Sequence, residues 1–211
     1  MPSLKSPIGR RAQPDRRPLV LTSLCSAMGF LALTAAVERG WTKGVNREVR
    51  SWVRPRQRKG MTRAADAGTN AAAPYVHPVI ALALGAAATR RTGRLAYPIP
   101  LASLGATIID KSVRTVVHQL RPPESPKHHG LDRFAFPSGH TCATTAISLA
   151  FAAEVWATAS EPQRRAVAAT GVAAALGIAW TRLYLDEHWI DDIVGGWLAG
   201  ISIGSIAAAS R

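Results

Sequence analysis

The residues able to do chemistry fall in three short stretches between Arg114 and Asp192. Arg114 and Arg121 stand seven apart with His118 between them and Pro122 ending the run, so on a helix the three share one face. In Ala135-Phe136-Pro137-Ser138-Gly139-His140 a proline and a glycine bracket a hydroxyl, and an apolar run follows. That pattern predicts a turn feeding a helix N-terminus, whose unpaired N–H groups suit an anion. Further on, Thr181-Arg182 is followed after five residues by His188, with Asp192 one helical turn beyond, within reach of the imidazole. Arginine's planar fork matches phosphate oxygens and keeps its charge. A histidine oriented by an acid serves as nucleophile or general base. The set is one for phosphoryl transfer and calls for no metal and no cofactor.

In order and spacing, Arg114-x6-Arg121-Pro122, Pro137-Ser138-Gly139-His140 and Thr181-Arg182-x5-His188-x3-Asp192 resemble the three signature motifs of the type 2 phosphatidic acid phosphatase family, lipid phosphate phosphatases related to vanadium haloperoxidases and bacterial acid phosphatases. The middle motif matches fully. The outer two depart at their first residue, where the family usually has Lys in place of Arg114 and Ser in place of Thr181. The motifs span about the C-terminal half of the chain, and the remainder is similar to the family only in hydropathy.

The resemblance implies that His188 is the nucleophile and that His140 protonates the leaving oxygen and later activates water. The spacing agrees: Asp192 would accept the Nδ1 proton and leave Nε2 free to attack phosphorus. Asp191 points about 100° away on a helix and is the weaker partner. Arg114, Arg121, Arg182, the Ser138 hydroxyl and the Gly139 N–H would hold the phosphate oxygens, where transition-state charge accumulates. Tyr184, Asp186 and Glu187 receive no role.

These residues need a scaffold, and the hydropathy suggests a membrane-embedded one. In 211 residues the apolar positions gather in blocks near the length that crosses a bilayer, with most of the 26 Lys and Arg between them. The blocks predict an all-α, polytopic bundle of about six transmembrane helices, over residues 19–37, 71–88, 95–120, 140–157, 166–180 and 193–209; the resemblance implies an acid phosphatase and haloperoxidase-like core. Residues 1–18 read as a basic cytoplasmic tail and residues 19–211 as one membrane-embedded phosphatase domain. A cleaved signal peptide is the rival for the first block, but the block is long for one and no small-residue cleavage site follows. Pro74 and Pro78 weaken the second span.

The formal charge of +13 fits anionic headgroups and a phosphate substrate; nucleic acid is not expected, since the bases flank apolar spans and do not form one basic face. Residues 42–70 read either as an amphipathic interfacial helix, with Val45, Val49, Trp52 and Val53 opposite Arg47, Arg50 and Arg54, or as a solvated loop; in neither case are they expected to be catalytic. His128-His129 reads as an exposed loop pair lacking a third metal ligand. Cys25 and Cys142 read as small buried hydrophobes. Gly196, Gly200 and Gly204 form a small-residue stripe for close packing inside the chain, with a homodimer contact as the other use. Six spans would place both termini in the cytoplasm and the motifs at the extracytoplasmic face of the plasma membrane. The function expected is hydrolysis of a lipid phosphate or isoprenyl pyrophosphate. A phosphotransferase using the same phosphohistidine, or a non-catalytic lipid-phosphate binding or transport protein, are the alternatives.

Overall fold

The computed structural model describes residues 16–127 and 129–211, so the expected tail lies outside the described residues except for its last three. Among the described residues the chain is all-helical: α1 (Arg17–Glu38), α2 (Lys43–Val53), α3 (Lys59–Ala71), α4 (His77–Thr92), α5 (Pro98–Arg114), α6 (Gly139–Trp156), α7 (Glu161–Tyr184) and α8 (Ile190–Ala209). The six expected spans are α1 and α4 to α8. Four of these carry proline in the first two helical positions, where the missing N–H costs nothing. Pro78 therefore starts α4 and does not weaken it, and Gly93 in the left-handed region ends it.

The tightest pairing joins α6 to α8. A β-carbon at Gly196 would lie 2.8 Å from the Ser138 carbonyl oxygen, at Gly200 2.6 Å from that of Cys142, and at Gly204 2.8 Å from that of Ala146. The constant offset makes the two helices parallel, in contact backbone to backbone. The glycine stripe is thus spent inside the chain. Phe30 of α1 stacks on Phe136, ring centroids 5.6 Å apart, against the same pair.

Along the flanks of the bundle the surface carries apolar bands. Leu21, Leu24, Met28 and Leu31 on α1, Leu101, Leu104 and Ile108 on α5, and Val172 and Leu176 on α7 are exposed. Such bands on three separate helices belong in a lipid environment. By length and hydropathy alone, α1, α7 and α8 suffice to cross a membrane. Cys25, expected to be buried, belongs to the exposed surface of α1; Cys142 is buried.

Two expectations change. The third span does not continue to Leu120: α5 ends at Arg114, so Arg114, His118 and Arg121 share no helix face. The chain instead turns back on itself, with the Arg121 N–H donating to Arg133 O at 3.2 Å and the Ala135 N–H to Gln119 O at 2.7 Å. Residues 42–70 form two helices, α2 and α3, capping the end of the bundle where α5 and α7 finish and α4, α6 and α8 begin. The inward face of α2 is Asn46, Val49, Arg50 and Val53, while Val45 and Trp52 stay exposed.

Candidate active site

All three motifs reach this capped end. The turn after α7 places the third: Asp186 takes φ 55°, a left-handed conformation that Asp tolerates, and Arg50 of α2 grips its carboxylate through Nε and Nη2, both at 2.8 Å. Backbone bonds from Glu187 and His188 to Arg182 O, at 3.1 and 3.3 Å, close the turn. His188 then sits one turn before Asp192 and is nearly inaccessible.

His188 Nδ1 lies 3.2 Å from Asp192 Oδ2. The same Oδ2 accepts the Trp189 N–H at 2.7 Å, and Oδ1 accepts Gln119 Nε2 at 2.7 Å. On the other side of the ring, Arg121 Nη1 is 3.0 Å from His188 Nε2. Guanidinium can only donate, so Nε2 accepts and the ring proton belongs on Nδ1, facing Asp192. Burial above all, then the charges of Arg121, Arg182 and Arg114, holds the His188 imidazole well below its ordinary pKa, so it is neutral at neutral pH.

Arg121 is fixed by Nε to Asp132 O and by Nη1 to Glu187 O, both 2.6 Å. Burial, followed by the charge of Arg114, lowers its pKa to about 10, which leaves it charged at neutral pH. Arg182, 1% exposed, reaches Thr69 of α3 through Nη1 and Glu187 Oε2 at 2.6 Å through Nη2. Its Nε is buried without a partner among the described residues. Lys127 Nζ approaches the same Glu187 oxygen at 2.9 Å.

Ser138 precedes α6 without capping it; its Oγ accepts from Thr141 Oγ1 at 3.1 Å, and its N–H donates to Asp192 O at 3.0 Å, joining the second motif to the third. Gly139 lies against Asp110, whose carboxylate a β-carbon would meet at 2.8 Å. His140 is buried in the first turn of α6; the charges bearing on it are those of Arg182, His77, Lys127 and Arg121, and it bears in turn on His188. Arg114 is the member most occupied by protein: Nε donates to Asp110 Oδ1 at 2.8 Å, Nη1 to Phe134 O at 2.6 Å and Nη2 to Pro137 O at 3.4 Å. It braces the extended segment entering the Ser138 turn. Thr181 turns its hydroxyl back to Ile178 O, and His118 stays exposed against the Phe134 ring.

Several residues the spacing left without a role belong here. Glu187 gathers the cations, Gln119 bridges Asp191 and Asp192, and Asn46 holds Asp191 with Nδ2 to Oδ2 at 2.7 Å. Segment 42–70 thus supplies Asn46, Arg50 and Thr69 to the site's frame. Chemically, the whole is a neutral, oriented imidazole under a buried cluster of cations, fit to receive an oxyanion.

Residues 96–211 match the family model described as PAP2 superfamily. The fold is similar to the crystal structure of a transmembrane PAP2 type phosphatidylglycerolphosphate phosphatase from Bacillus subtilis, with a TM-score of 0.77 at 17% identity, covering 88% of this chain and 94% of that one. No curated protein sequence matches the chain.

Proposed function

The chain belongs to the PAP2 superfamily, and from that premise we propose that this integral membrane protein hydrolyses a lipid phosphate or isoprenyl pyrophosphate through a phosphohistidine on His188. The observation that carries the reading is the relay from Arg121 through His188 to Asp192, which leaves a neutral Nε2 beside a guanidinium. Substrate phosphate takes Arg121 and the unpartnered Nε of Arg182 as oxygen ligands, with Ser138 and Gly139 at the N-terminus of α6. Arg114 holds that turn in place. Nε2 attacks phosphorus, the bond to the lipid oxygen breaks, and His140 gives that oxygen a proton; the bound dianion is the counter-charge that lets His140 carry it among Arg182, Lys127 and Arg121. Asp192 stabilises the positive charge growing on His188. Water then attacks the phosphohistidine, His140 takes its proton, and the P–N bond breaks to release phosphate. No step calls for a metal.

The far end of the bundle carries Arg16, Arg17, Arg90, Arg91, Arg94, Arg164, Arg165 and Arg211. The site end is basic too, through Arg47, Arg54, Arg56, Arg58 and Lys59, so the orientation rests on the first span and its basic tail, which by the positive-inside preference face the cytoplasm and leave the site outward. Purified protein, assayed with EDTA against phosphatidylglycerophosphate, phosphatidate and farnesyl pyrophosphate, should release inorganic phosphate. A rapid acid-free quench with labelled substrate should trap an acid-labile phosphoenzyme that His188→Ala abolishes along with turnover. Near-normal turnover in that variant would remove the mechanism, and a phosphorylated acceptor in place of free phosphate would make the protein a transferase.

A further inference from the structure

An apolar groove of about 490 Å³ opens between α3, α4, α6 and α7, lined among others by Ala71, His77, Ile147, Gly171, Ala174 and Ile178. Along α7 its wall runs from Ile178 to Ala166, roughly 18 Å at 1.5 Å per residue, close to one leaflet of a hydrocarbon core about 30 Å thick. The surface beside it is also apolar, with Val79 and Leu82 on α4 and Val172 and Leu176 on α7 exposed. The groove therefore opens toward acyl chains.

Its upper end meets the phosphate site at one residue. His77 is 5% exposed, lines the groove, and sets its ring edge-on to His140, centroids 5.9 Å apart. Nε2 of His77 is buried and has no hydrogen-bond partner among the described residues. Buried polar atoms are rarely left unpaired, and those that are mark places where another group completes them. On its far side stands His140, on which the charges of Arg182, Lys127 and Arg121 bear; below it lies hydrocarbon-lined space. An amphiphile with an anionic head and an apolar chain matches both halves.

We propose that the hydrocarbon chain of the substrate lies in the groove between α4, α6 and α7, and that His77 at its mouth hydrogen-bonds through Nε2 to the oxygen joining chain to phosphate. The inference rests on the phosphatase reading and adds to it the place of the chain and a third histidine. In its Nε2–H tautomer the ring donates to that bridging oxygen, while the apolar groove supplies the preference for a phosphate carried on a chain. No bond is made or broken by His77; its work is to position the leaving group beside His140.

The test compares hexadecyl phosphate with butyl phosphate on the purified full chain, with Ala174→Trp, His77→Ala and His77→Gln. Ala174 is exposed, so an indole there enters the groove without displacing the core. Ala174→Trp should lower the ratio of kcat/KM for hexadecyl over butyl phosphate at least tenfold. His77→Ala should lower kcat/KM for both substrates about tenfold, and His77→Gln, whose amide still donates, should recover most of that loss. Hexadecylphosphonate, which cannot be hydrolysed, should raise the Tm of the wild type but not of Ala174→Trp. An unchanged chain-length ratio in Ala174→Trp, or a Gln variant no better than Ala, overturns the proposal. If the wild type releases no phosphate while the phosphonate still stabilises it and not Ala174→Trp, the phosphatase reading falls and the chain site stands.

Discussion

Arg121 donates from Nη1 to Nε2 of His188 across 3.0 Å, so the atom proposed to attack phosphorus is covered by the residue proposed to receive the phosphate. The two contacts exclude each other at one nitrogen, and substrate entry must exchange one for the other.

Arg121→Lys tests that exchange. Lysine keeps a charge but cannot hold Asp132 O, Glu187 O and a phosphate oxygen with one planar fork. A lost charge-assisted bond of about 1.5–3 kcal/mol predicts a fall in kcat/KM of roughly 10- to 150-fold. Steady-state kinetics on one lipid phosphate decides it, and an unchanged value contradicts the role.

Glu187 occupies the cation cluster, bound by Arg182 at 2.6 Å and Lys127 at 2.9 Å, with Arg121 at 3.8 Å. Burial acts to raise its pKa, but Arg182, Lys127 and Arg121 together hold it below the ordinary value, so the carboxylate is ionised and repels an arriving phosphate. Glu187→Gln removes that charge and should tighten competitive inhibition by inorganic phosphate about tenfold, the equivalent of one charged hydrogen bond of about 1.4 kcal/mol released to the ligand. A weaker or unchanged inhibition constant would count against the competition.

The pH dependence follows from the lowered pKa of His188. Protonation blocks attack, and because burial and three arginines disfavour the imidazolium, the ring stays neutral as pH falls through its ordinary 6.5. The acid limb of kcat/KM, corrected for ionisation of the substrate, should therefore lie well below pH 6.5. Arg121→Gln removes one of the disfavouring charges and should move that limb upward. A limb at or above 6.5 in the unmodified protein would show that the ring is not held neutral.

Gly200→Ala probes the scaffold. Its β-carbon would lie 2.6 Å from Cys142 O, a backbone atom that cannot swing aside. Overpacking of this kind costs about 1–3 kcal/mol, to be read as a lower Tm. Activity should fall with it, because α6 and α8 carry Ser138 and Asp192 and a displaced interface stretches the bond between them.

The convergence of His140, His188 and Asp192 at one end of the bundle was legible because helix spacing and span count are local properties of the chain. The route of residues 115–137 was not. Seven-residue spacing suggested a helix through Arg121, yet the geometry comes from pairing of 119–121 with 133–135, a contact that no periodicity encodes. The same holds for Asn46 and Thr69, whose partners Asp191 and Arg182 lie 145 and 113 residues away. Glu187 carried a signal that was available: a carboxylate beside the expected nucleophile and five residues after Arg182.

Parallel packing of α6 on α8 sets two amino-terminal helix ends side by side, each with a partial positive charge. At α8 the first-turn carboxylates of Asp191 and Asp192 offset that charge, whereas α6 has neither an acidic first turn nor a side-chain cap, so an oxyanion beside Ser138 and Gly139 would answer the open pole. On the proposed reading folding and ligand binding are linked: phosphate at about a hundred times its dissociation constant would add about 2.7 kcal/mol to the stability of the bundle. The product of the proposed reaction would thus steady the scaffold that made it.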